Sequence, residues 1–199
     1  ALRTAAAFVH TPATRLELAG VGSVEVSLAY CGVFFLLVDA GQLDLAPDSS
    51  GTAIGPANAG RFTALGMSAL QAANRAFRVE HPDNPRANSI VLAMFYQEVG
   101  DRHGRDIVVG GSGSVDRSPC GAGTGAKVAF LFCGGRLGEG EEYVNESFLG
   151  TRFVGRALKP ARVGPYQGAM PEIEGQAFIT GMHQFLLDAR DPLPEGFLF

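Results

Sequence analysis

The chain has 199 residues, a net charge of −4 and 46% hydrophobic content, enough apolar material to bury a core in one or two domains. The acidic balance and the lack of any Lys/Arg run argue against nucleic acid and anionic membrane surfaces as partners, and the longest apolar run, 128–132, is far too short to cross a bilayer. Cys31, Cys120 and Cys133 form neither a CxxC pair nor a disulfide framework, so a cytoplasmic, reducing setting without a structural metal is expected.

In chain order, a short strand is expected from Ala6. Residues 14–28 alternate apolar and polar around a GVG turn, which predicts a β-hairpin. VFFLLV at 33–38 reads as a buried strand and 47–60 as a loop. The Ala, Leu, Met and Gln content of 61–78 predicts a helix closed off by Pro82 and Pro85. A central strand follows at 89–96, then a charged stretch, a short IVVG strand and a Gly-Ser turn. A second helix is expected from Gly121 to about Phe132, stopped by Gly134 and Gly135. Glu139, Glu141, Glu142 and Glu146 read as a solvated acidic face. SFLGTRFVGRAL and PEIEGQAFITGMHQFLLD read as strand-rich, with His183 packed or capping, DPLPEG as a turn and FLF as a last strand. Many short strands with two helices give an α/β or α+β fold. No GxGxxG follows a strand and no GxxxxGK[ST] occurs, so a dinucleotide cofactor is not expected.

The chemistry concentrates in DRSPCGAGTGAK at 116–127. Pro119 restricts Ser118 to extended geometry. Gly121, Gly123 and Gly125 permit a sharp turn and close backbone approach. The helix that follows opens with N–H groups that lack internal partners and suit a small carboxylate. Cys120 sits at that opening, where positive potential favours a thiolate, so a lowered pKa and an accessible thiol are expected. Such a thiolate can take the α-hydrogen of a bound amino acid, with Asp116 in reach of its ammonium. Cys31 and Cys133 read as packing residues.

DRSPCGAGTGAK resembles the second catalytic-cysteine motif of the proline racemase family. The likeness extends through AYCGVFFLLVDAG at 29–41, HP at 81–82, ESFLGTRFVGR at 146–156 and the segment 171–197. The resemblance implies a diaminopimelate-epimerase-like fold, in which strands wrap a central helix, and a two-domain parent with its site between the domains. It implies a cofactor-independent isomerase acting on proline or 4-hydroxyproline, without metal, that uses two cysteines on opposite faces of the α-carbon. Cys120 matches the second cysteine and Asp116 the residue that holds the ring nitrogen. Gly121 and Ala122 match the positions whose N–H groups hold the carboxylate. The family usually has Thr where this chain has Ala122. Its first cysteine lies in an MCGH-type motif that this chain lacks, and Cys31 is not in that role. The chain therefore reads as the C-terminal portion only of such a protein, with 1–183 as its second catalytic domain and 184–199 as a closing segment that returns to the first. An apolar face without its cover would favour self-association as a homodimer. A trans-3-hydroxyproline dehydratase and a binding domain without turnover remain the alternatives.

Overall fold

The computed structural model describes residues 1–49 and 51–196. Its described residues form nine strands and two α-helices: β1 Leu2–Arg3, β2 Ala7–Leu18, β3 Gly22–Cys31, β4 Val33–Asp39, α1 Ala59–Ala76, β5 Ile90–Gly100, β6 His103–Gly110, α2 Gly121–Cys133, β7 Glu142–Ser147, β8 Arg152–Val163 and β9 Tyr166–Glu174. The strands make one mixed sheet in the order β1-β9-β2-β3-β4-β5-β6-β7-β8, and β8 also pairs with β9. That last pairing closes the sheet on itself, so the α+β expectation holds.

Strand alternation places the core on two sides of this closed sheet. In β4, Phe34, Leu36 and Val38 join an outer cluster with Phe62, Ala69 and Ala73 of α1. Phe35 and Leu37 face inward, with Met94, Ala126 and Ala129. On the other flank of α2, Val128 and Leu131 meet Tyr143, Ala157 and Ala169. Sheet residues thus cover α2 on two flanks, and both faces of β4 are buried. This explains why β4 reads as an unbroken apolar run rather than an alternating one.

The predicted hairpin forms between β2 and β3, with Leu18 opposite Gly22 and Gly20 at φ 77° in the turn. Strand β2 is longer than expected at its start, and β1 was not anticipated. Two crossovers escaped the sequence reading: β4–α1–β5 and β6–α2–β7 each join neighbouring parallel strands. The second crossover carries its helix through the interior of the closed sheet.

Two expectations are corrected here. Glu146 is not solvated. It is 3% exposed and takes Arg105, Arg152 at 2.7 Å and His103 at 3.3 Å as partners. Beyond Glu174 the described chain has no strand, and Phe178, Ile179, Met182, Phe185, Leu186 and Leu187 are exposed, as is His183. The expected last strand, FLF, lies outside the described residues. No helix among the described residues is long and apolar enough to cross a membrane.

Candidate active site

The candidate site forms where β6 hands over to α2. The Asp116 N–H donates to the Val108 carbonyl at 3.1 Å. Its Oδ1 accepts from the Ser118 N–H at 3.2 Å and the Ser118 hydroxyl at 3.0 Å, so the carboxylate folds the loop over itself. Pro119 then leads into Cys120, the N-cap of α2. Cys120 has φ 56°, a left-handed conformation that costs a residue with a side chain about 1 kcal/mol or more. Its Sγ accepts the Gly123 N–H at 3.3 Å, as a serine or aspartate cap oxygen would.

The glycines behave as the spacing suggested. A Cβ at Gly123 would meet Met94 Cε at 2.6 Å, and one at Gly125 would meet Cys31 Sγ at 2.6 Å. Both let α2 lie directly against the sheet. Gly121 has nothing within 4 Å of a Cβ position and faces open space. That space is a cavity of about 590 Å³, lined by Ser118, Gly121, Ala122, Cys31, Phe153 and Ile173 among others. The amides of Gly121 and Ala122 occupy the first two helical positions, where no carbonyl lies one turn below to accept them. The lining is mostly apolar and small.

Of the four residues singled out from sequence, Gly121 and Ala122 line this cavity, while Cys120 and Asp116 stand beside the lining. Cys120 is only 7% exposed. The expected low thiol pKa is not what the geometry produces. Burial pushes the Cys120 thiol up to about 12; the Gly123 N–H pulls it down, and the Asp116 and Asp106 carboxylates push it up again. The N–H groups at the helix start favour the thiolate, but the loss of water and the two nearby acids outweigh them. Cys31 is packed, as expected, with its Sγ 3.7 Å from Thr4 Oγ1, yet it also borders the cavity. Burial raises its thiol as well.

Sequence reasoning missed the group beneath the loop. Asn145 Nδ2 donates to Asp106 Oδ2 at 2.7 Å, Thr124 Oγ1 at 2.9 Å and the Pro119 carbonyl at 3.2 Å. The Thr124 hydroxyl also donates to the Pro119 carbonyl, at 3.2 Å. One signal was available: Asp106 precedes IVV with the parity of inward-facing Val108, an odd place for a carboxylate. Among the described residues no group of three or more His, Cys, Asp or Glu is placed to hold a metal ion.

A family model described as proline racemase matches residues 1–198. The proline racemase of Clostridioides difficile is 37% identical over 194 residues, covering 96% of this chain and 56% of that protein. The trans-3-hydroxy-L-proline dehydratase of Burkholderia cenocepacia is 34% identical over 200 residues, covering 96% of this chain and 57% of that protein. A crystal structure of a hydroxyproline epimerase from Agrobacterium vitis, with bound trans-4-hydroxy-L-proline, superposes with a TM-score of 0.83 at 34% identity. It covers 99% of this chain and 55% of that one. The chain thus spans about half the length of the relatives it matches. The sequence reading confined the likeness to the C-terminal portion of the family. That restriction does not stand, because the family model runs the length of the chain.

Proposed function

The chain belongs to the proline racemase family, and from that premise we propose that it inverts the α-carbon of proline or 4-hydroxyproline without a cofactor, with Cys120 as one of two thiols that move the proton. The observation that carries this reading is the cavity at the mouth of α2. Beside it a capped thiol, two free helix-terminal amides and a carboxylate lie within one seven-residue loop, 116–122. The substrate carboxylate takes the Gly121 and Ala122 amides, and its ring nitrogen takes Asp116.

The proton steps balance with two thiols. One sulfur, as thiolate, takes the α-hydrogen, so C–H breaks and S–H forms. The electron pair passes into the carboxylate, where the amides stabilise it. The opposing thiol then gives its proton to the other face, and the two sulfurs have exchanged protonation states. Cys120 rests as a neutral thiol because burial and Asp116 hold its pKa high. A bound ammonium at Asp116 cancels that carboxylate's push and brings the thiol nearer to working range. This chain supplies one thiol, and the site lies in a cleft between this closed sheet and a second domain that bears the other. The apolar side chains of 178–187 pack against that second domain.

The test is to incubate the whole protein with L-proline and the hydroxyprolines and separate the products on a chiral column. Appearance of the epimer, abolished by Cys120→Ser, supports the proposal. Loss of water from the 3-hydroxy substrate, without any epimer, would replace it with the dehydratase reading.

A further inference from the structure

On the parallel pair β6 and β7, side chains alternate between two environments. Arg105 and Glu146 pair with each other on one face. Asp106 and Asn145 take the opposite face and reach the start of α2. Asp106 is 1% exposed, and its Oδ1 has no hydrogen-bond partner among the described residues. Burial raises its carboxyl well above the usual carboxylate range, against the Asn145 hydrogen bond and the Lys127 charge. The ionisable groups around it are Asp116 and Cys120 of the loop, Lys127 of α2 and Tyr143 of β7.

We infer that Asp106 is a positioning residue, which through Asn145 holds the turn that sets Cys120 at the mouth of α2. The inference rests on Cys120 being the acid/base residue proposed above. The chain of contacts is continuous. Asp106 orients the Asn145 amide; that amide grips the Pro119 carbonyl and the Thr124 hydroxyl. These two residues flank Cys120 on either side, and the turn between them holds its left-handed backbone. Asp106 does this by accepting on one oxygen, so an amide can take its place and a methyl cannot.

The test compares Asp106→Asn and Asp106→Ala with the unaltered chain by iodoacetamide labelling against pH, each cysteine followed by peptide mass spectrometry. Asp106→Asn keeps the Cys120 rate and pH midpoint within about threefold and half a unit, because the amide oxygen still accepts from Asn145. Asp106→Ala frees the turn and speeds Cys120 labelling about tenfold or more, with Cys133 unchanged as internal control. If Asp106→Ala does not fold, Asn145→Ser must give the same rise at Cys120. An unchanged Cys120 profile in the alanine or serine variant overturns the inference, as does a rise at Cys120 and Cys133 alike. A midpoint lowered by more than about half a unit in Asp106→Asn also overturns it, because Asp106 then acts chiefly by charge. Labelling needs no turnover, so a failure of the functional reading shows separately, as absent epimerisation with these labelling differences intact.

Discussion

Cys31 Sγ lies over Gly125 of α2, so near that a methyl group on Gly125 would sit 2.6 Å from it, with Pro171 Cγ at 3.4 Å on the same spot. The helix and β3 therefore meet at van der Waals contact through a residue with no side chain. Gly125→Ala forces the thiol or the helix to move and is expected to destabilise the chain by about 1–3 kcal/mol, read by chemical denaturation. Removing the sulfur as well relieves the clash, so Cys31→Ala and Gly125→Ala together cost less than their sum by about 1 kcal/mol. Simple additivity would mean that the two do not touch.

Asp116 raises the Cys120 thiol, by charge and by hydrogen bond, on top of the larger effect of burial. Asp116→Asn is therefore expected to lower the pH midpoint of Cys120 alkylation and to speed labelling at pH 8 by about three- to tenfold. If Asp116 holds the substrate nitrogen as proposed, the same variant is expected to weaken proline binding, because the counter-charge for the ammonium is gone. A midpoint that stays put would show that burial alone sets the thiol.

Much of the frame was legible in the sequence. The buried strand 33–38, helix α1 and the start of α2 follow from composition and periodicity, and the turn chemistry of 116–121 marked the loop that opens α2. What was hidden depends on distant pairing. The closure of the sheet rests on contacts such as Ala7 with Ala169, far apart in sequence. Glu146 looked like one more acid in an acidic run, yet it is buried by arginines from β6 and β8. The thiol's high pKa could not be read either, because it arises mainly from lost water, which depends on how distant elements pack around Cys120.

Lys127 is buried on α2, with its Nζ 2.9 Å from Glu98 Oε1 and 3.1 Å from the centre of the Tyr96 ring. Burial lowers its pKa from 10.5 to about 8, against the pull of Glu98. Between those two values the unfolded chain binds the proton more than the folded one does. Lys127 therefore makes stability rise with pH from about 8 to about 10.5. In Lys127→Met that contribution is absent. The stability of the unaltered chain minus that of the variant should climb by roughly 1–3 kcal/mol across this window. Taking the difference removes the opposite slope that Cys120 adds at higher pH. A flat difference would contradict a depressed lysine.

The central claim is that Cys120 moves the α-proton. It is tested most directly by incubating the 199-residue chain with L-proline in deuterated water and following deuterium at the α-carbon by mass spectrometry, alongside chiral separation. One thiol serves one face, so slow exchange with retained configuration is predicted, reduced about a hundredfold or more in Cys120→Ser. Exchange that survives Cys120→Ser would contradict the account, and inversion abolished by Cys31→Ser would give the opposing face to Cys31 instead.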